Sequence, residues 1–251
     1  MNVNDMQLDQ GDLEVPCRLT AIFDRQKSLM EKYHGIEERN GLLLDPSVPV
    51  DLDHRFGQQR LKDFSWRVSE ELGEATAAFE DHPNLTEHLH EELIDALHFL
   101  IELLILSGLQ PEMVIKTLSS IHGDTRKKYP NLQHDLLESL FMWNFPEDYG
   151  LQWGSGNGFD PTACLPIEKE QLFYCSYLVV HEMARAMNCL KNKPWKQTNM
   201  LTDVPRFHNH LSHSLLRFIE LAGWAGMGPD KIYEIYVLKN KVNKFRQRSN
   251  Y

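Results

Sequence analysis

The sequence predicts an all-α fold, and three observations carry that expectation. Apolar residues recur at helical spacing over most of the 251 residues, the proline and glycine punctuation falls between the periodic segments, and few stretches alternate apolar and polar side chains as half-buried strands do. In chain order the periodicity places helices near 19–34, 58–80, 85–108, 111–127, 133–142, 168–191, 208–225 and 229–248. Pro83 with Asn84, Gly108 to Pro111, and Gly228 with Pro229 mark breaks, because Pro suits the first helical turn and Gly the residue past the last. Two stretches read as irregular: 40–57, with Pro46 and Pro49, and 146–166, with Gly150, Gly154, Gly156, Gly158, Pro161 and Pro166. The second is either a linker between helical halves or a long loop within one domain.

Composition narrows the function. With 26 basic and 36 acidic residues the formal charge is −10, and 42% of the chain is hydrophobic, an ordinary globular balance. A chain of this length buries a core without disulfides or a structural metal. The acid excess argues against a surface that grips nucleic acid or anionic lipid as a whole, so no stable nucleic-acid partner is expected. Cys17, Cys164, Cys175 and Cys189 form no C-x-x-C pair and read as reduced thiols. Asp5, Asp9, Asp12 and Glu14 stand where a signal peptide needs a basic start and an apolar run. The longest apolar run, Ala96 to Leu106, is interrupted by His98 and Glu102 and falls short of the roughly 20 residues that span a bilayer. The expectation is a cytoplasmic protein without a membrane partner.

The chemistry concentrates in two acidic helices. Glu70, Glu71 and Glu74 fall within an arc of about 100° on one helix, and Glu91, Glu92, Asp95 and Glu102 do so on the next. Like charges three and four apart repel, more so on a dry face. Leu93, Ile94, Leu97, Leu100, Ile101 and Leu104 surround Asp95 and Glu102 with apolar neighbours, and an acid among core residues asks for a partner. A solvated acidic face explains one such helix. Two together point to a divalent cation, and hard Mg²⁺ takes carboxylate oxygens while sharing itself with substrate phosphates.

The pattern E-x-x-E (Glu71, Glu74) followed by E-x-x-D-x-x-H-F (Glu92, Asp95, His98, Phe99) resembles the all-α nucleoside triphosphate pyrophosphatases, the superfamily of the dimeric dUTPases and MazG-type enzymes. The resemblance implies a homodimeric helical bundle in which Glu71, Glu74, Glu92 and Asp95 hold two or more Mg²⁺ ions and take part in catalysis. Glu70 and Glu91 remain possible substitutes.

The C-terminal segment has its own pattern. Lys239, Asn240, Asn243, Arg246 and Gln247 share a helical face of about 120°, whereas Lys241, Lys244 and Arg248 lie on another. Amides with a Lys and an Arg suit a polyphosphate and a sugar or base edge, and a solvated basic tail is the plainer alternative. The string K-N-x-x-N-x-F-R-Q-x-x-x-Y, ending at Tyr251, resembles the substrate-binding motif of the dimeric dUTPases. It departs from that motif in having Asn250 where Gly is usual, and it lacks the further basic segment of trypanosomal-type members. Arg60, Lys62, Arg126, Lys127 and Lys128 are candidates for the missing phosphate contacts. Gln26, in Gln26-Lys-Ser-Leu29-Met30, resembles the family's first motif, near the nucleobase. Trp66 either lines the same pocket or packs at its helix start. Because both motif regions would build one site, 1–251 is read as one domain with an irregular insertion near 146–166.

Other signals lead nowhere. His181-Glu182-Met-Ala-Arg185 lacks the second His of a zincin, and Gly154 to Gly158 lacks the Lys and Ser/Thr of a phosphate loop. His208, His210 and His213 have metal-like spacing, but the sequence offers no carboxylate beside them and they read as surface or capping groups. The expected activity is Mg²⁺-dependent hydrolysis of dUTP to dUMP and pyrophosphate, of the kind a phage uses to keep uracil out of DNA. Its rivals are the same chemistry on dCTP or a modified deoxynucleotide, an inactive nucleotide-binding protein, and a helical interaction protein.

Overall fold

A computed structural model of the chain describes residues 8–41, 43, 45–81, 86–123, 135–145, 167–193 and 195–248. The expectations for 146–166, Cys164, Arg126 to Lys128 and Tyr251 lie outside these residues. Among the described residues all regular structure is helical: α1 (Gln10–Leu13), α2 (Arg18–Arg39), α3 (Arg55–Asp81), α4 (Thr86–Leu106), α5 (Pro111–His122), α6 (Leu136–Asn144), α7 (Lys169–Cys189), α8 (Val204–Trp224) and α9 (Pro229–Arg248). No described helix is long and apolar enough to cross a membrane.

The helix ends follow local chemistry. Gly108, at φ 88°, takes the left-handed conformation that closes α4, and Pro111 opens α5. The helix expected at 208–225 starts four residues earlier, because the Asp203 carboxylate accepts the Arg206 amide at 3.2 Å and Pro205 fills the first turn. Helix α2 continues through Gly35 to Arg39, five residues past the expected end. A single interior Gly costs only about 1 kcal/mol, which the packed first half of α2 outweighs. The helix expected to reach 127 is described only to His122, with Gly123 beyond it at φ 85°.

Helices α3 and α4 form one antiparallel pair and α7 and α8 another, with α3 against α7 and α4 against α8; α2 and α9 pack on each other and on α4. One hydrophobic cluster runs through all of them, from Phe23 and Leu61 through Leu97 and Ile101 to Phe207, Phe218 and Tyr236. Helix α4 is its axis. From Leu93 to Leu106 nearly every side chain is buried, which explains the continuous apolar run. Arg18 ties together the starts of three helices through Asp135, Glu138 and Asp230. Asp12 anchors α1, accepting from Arg25 at 3.0 Å and from Lys241 at 2.5 Å. Cys17, Cys175 and Cys189 are free thiols.

Candidate active site

The antiparallel α3 and α4 bring their acidic faces together. One oxygen from each of Glu71, Glu74 and Glu92 lies within 4.8 Å of the others. Burial pushes the Glu71 carboxyl up to about 7, and the charges of Asp95, Glu74 and Glu92 add to the effect against the pull of Lys239. Glu92 is raised too, by burial first and then by Asp95. Oxygens about 2.1 Å from an octahedral Mg²⁺ are about 3 Å apart when adjacent and about 4 Å apart when opposite. The three carboxylates therefore fit such an ion after small side-chain movements, and their unneutralised charge is what the ion would relieve.

Asp95 stands beside this cluster rather than in it. Its carboxylate holds Lys239 of α9 at 2.5 Å, although burial still raises its pKa. The C-terminal helix thus reaches the acidic pair. Glu70 is exposed and accepts the Trp66 indole N–H at 2.7 Å. Trp66 itself, 64% exposed, neither packs in the core nor lines the pocket beside the acids.

That pocket, of about 260 Å³, lies among four helices. Helix α2 supplies Gln26, Leu29, Tyr33 and Glu37; α3 supplies Phe64, Arg67 and Glu71; α4 supplies Asp95, His98, Phe99 and Glu102; α9 supplies Asn243 and Arg246. Each set recurs at three, four or seven residues, the period that keeps side chains on one helix face. Phe64 and Phe99 pack at 6.3 Å between ring centres, and the Arg67 guanidinium lies 4.8 Å over the first and 5.7 Å over the second.

Gln26 organises the deep end. It sits in the apolar stripe of α2 yet is almost fully buried, so its amide must be paired. Its Nε2 donates to Glu102 at 2.8 Å, and its Oε1 accepts from the Tyr236 hydroxyl at 2.7 Å and from His98 Nδ1 at 2.9 Å. The imidazole, stacked on Tyr236 at 4.0 Å and held to about 3 by burial, is neutral. Its Nε2 is then a bare acceptor, buried and with no hydrogen-bond partner among the described residues.

The other expected residues divide. Asn243 and Arg246 line the pocket, whereas the Gln247 amide is buried with neither its Nε2 nor its Oε1 hydrogen-bonded among the described residues. Asn240 is fully buried, with its Nδ2 donating to the Arg25 carbonyl at 3.4 Å, so it fastens α9 to α2 and does not line the pocket. Arg60 is engaged by the Asp45 carbonyl, His34 and Glu37, and Lys62 by the Leu190 carbonyl at 3.4 Å; neither lines the pocket. Besides Arg246, the cation that lines it is Arg67, which the sequence pattern did not single out. It lies four residues before Glu71, hence on the same face, and that spacing was a usable signal.

The histidines of α8 need a correction. Helix α7 brings Glu182 to 2.8 Å from His210, a carboxylate that sequence distance concealed. Arg185 engages the other Glu182 oxygen at 3.0 Å, while His208 and His213 bond the Ser107 and Asn209 carbonyls. These contacts join α7 to α8 and α8 to the end of α4. No protein-family model, curated protein or solved structure matches this chain.

Proposed function

We propose that this protein is a Mg²⁺-dependent nucleoside triphosphate pyrophosphohydrolase acting on a deoxynucleoside triphosphate. The observation that carries the reading is the convergence of Glu71, Glu74 and Glu92 to within 4.8 Å, from which small side-chain movements reach Mg²⁺ geometry, where Glu71 also lines a nucleoside-sized pocket shared with Arg67, Asn243 and Arg246. Glu71, Glu74 and Glu92 would hold the metal, with Asp95 joining them as Lys239 turns to a substrate phosphate. The bound ion would neutralise phosphate charge and increase the acidity of an attacking water. Glu71 takes the proton from that water as the new P–O bond forms, and the α–β phosphoanhydride bond breaks to release pyrophosphate. Lys239 and Arg246 compensate the growing charge on the phosphates, and Asn243 hydrogen-bonds the sugar. Phe64 and Phe99 offer faces for a base to pack against.

Homodimerisation and a preference for dUTP come from the sequence resemblance alone. Sedimentation tests the first, and the base is taken up below. The function itself is tested by monophosphate and pyrophosphate release from the four common deoxynucleoside triphosphates, dUTP and UTP, with Mg²⁺ and with EDTA. Expected is Mg²⁺-dependent release of both products in equal amounts, reduced by orders of magnitude in Glu74→Ala. Release of inorganic phosphate instead, or no turnover of any nucleotide, would refute the reading.

A further inference from the structure

We infer that Glu102 makes the pocket select a nucleobase bearing an exocyclic amino group and reject uracil and thymine. The inference rests on the nucleotide-site reading above, and it comes from the hydrogen-bond inventory of the deep end.

Glu102 lies seven residues beyond Asp95 on α4, about 10 Å along the helix. A sugar and a base fill that length, so phosphates held at the acidic end place the base edge near Glu102. Two groups at this end retain acceptor capacity. Gln26 occupies one Glu102 oxygen, which leaves the carboxylate the other oxygen for a ligand. His98, with its Nδ1 proton committed to Gln26, offers the bare Nε2 lone pair.

Two acceptors match an amino group, whose two hydrogens reach one acceptor each, as on cytosine or adenine, or the neighbouring N–H and amino donors of guanine. Uracil and thymine turn a carbonyl to the same place. Their single N–H can satisfy one acceptor, but the 4-carbonyl then faces a carboxylate oxygen or an imidazole lone pair with no proton between them. A buried polar group left unpaired is what allows a site to reject an analogue. Of the two cations on the α3 side, the buried Arg60 is held by the Asp45 carbonyl, His34 and Glu37, and Arg67 bonds Asp63 at 3.0 Å. Burial pushes the Glu102 carboxyl up to about 7, with Gln26 and Arg60 opposing. The carboxylate on which the selection depends is therefore the prevailing form above that pH, and a ligand donor favours it.

The test is calorimetric binding of dCMP, dAMP, dGMP, dUMP and dTMP at pH 8, where Glu102 is mostly ionised, in EDTA, which removes the metal from the comparison, with the wild-type protein and Glu102→Gln. The Gln variant keeps the side-chain size, retains an acceptor for Gln26, and places an amide donor where the carboxylate had none. At least one amino-bearing monophosphate is expected to bind at least about tenfold more tightly than dUMP and dTMP, with that ratio reduced or reversed in Glu102→Gln. Equal or tighter binding of dUMP, an unchanged ratio in the variant, or no binding of any monophosphate would overturn the inference. Mg²⁺-dependent turnover centred on dUTP would sink this assignment and leave the pyrophosphohydrolase reading standing, whereas silence of every triphosphate would sink that reading.

Discussion

The sharpest consequence of the acidic cluster concerns stability without metal. Glu71 ionises in the folded protein only at about 7, against 4.5 for an ordinary glutamate, because it is partly buried and faces Asp95, Glu74 and Glu92. Its folded-state pKa is raised, so the folded protein binds this proton more tightly than the unfolded chain. Stability from this group is fully present below about 4.5 and is lost as pH rises through about 7. At full strength the difference between 4.5 and about 7 is worth about 3 kcal/mol, and solvent reaching this half-buried carboxyl reduces it to about 1 kcal/mol. Glu71→Gln removes the charge and keeps the shape. In EDTA at pH 8 the variant should therefore melt about 2–4 °C above the wild type for a chain of this length. At pH 4 the two should melt together, and Mg²⁺ should stabilise the wild type more than the variant. Differential scanning calorimetry over that pH range decides the matter. A variant that melts at or below the wild-type temperature at pH 8, or that gains equally from Mg²⁺, would show that Glu71 carries no unrelieved charge and is not a ligand.

Two further changes probe the frame of the site. Lys239→Met leaves Asp95 beside the acidic cluster without its 2.5 Å counter-ion, which should cost about 2 kcal/mol at pH 7 for a partly buried pair; an unchanged denaturation midpoint would refute that role. In Gly223→Ala the new methyl would meet Phe145 Cε2 at 2.3 Å, an overlap expected to cost about 1–3 kcal/mol. Urea unfolding that shows no loss would mean that α6 is not packed against α8 as described.

What the sequence reveals here depends on how far each relation extends. Helix existence is local: Pro111 at the start of α5 or Gly108 at the end of α4 can be read from a few residues. The faces of α3 and α4 are also local, so Glu71, Glu74 and Glu92 could be grouped within each helix before their meeting was known. The relation between helices is another matter. Asn240 and Asn243 share a face of α9 by periodicity, yet the first is consumed by the α2 backbone and only the second lines the pocket. Nothing within α9 distinguishes them, because the difference is made by where α2 crosses. Glu182 and His210 were separated by the same ignorance of packing.

The buried polar residues of the core offer a way past that limit. Gln26 in the stripe of α2, and His98 and Glu102 in the apolar run of α4, each break a pattern that hydrophobic burial alone would complete. Each such break costs free energy unless partners are supplied, and three of them on two helices that pack together imply that they supply one another. The structure shows Gln26 bonded to both. Such a network is fully satisfied only if its members' capacities sum, and here they do not: the imidazole retains a lone pair and the carboxylate an oxygen. Interior acceptors left over in a pocket are an unpaid desolvation cost that a core built for stability alone would have replaced with leucine. That surplus, lying on the same helix as the metal-suited carboxylates, is the physical reason to read the deep end as a base-recognition surface and the acids as its phosphate end.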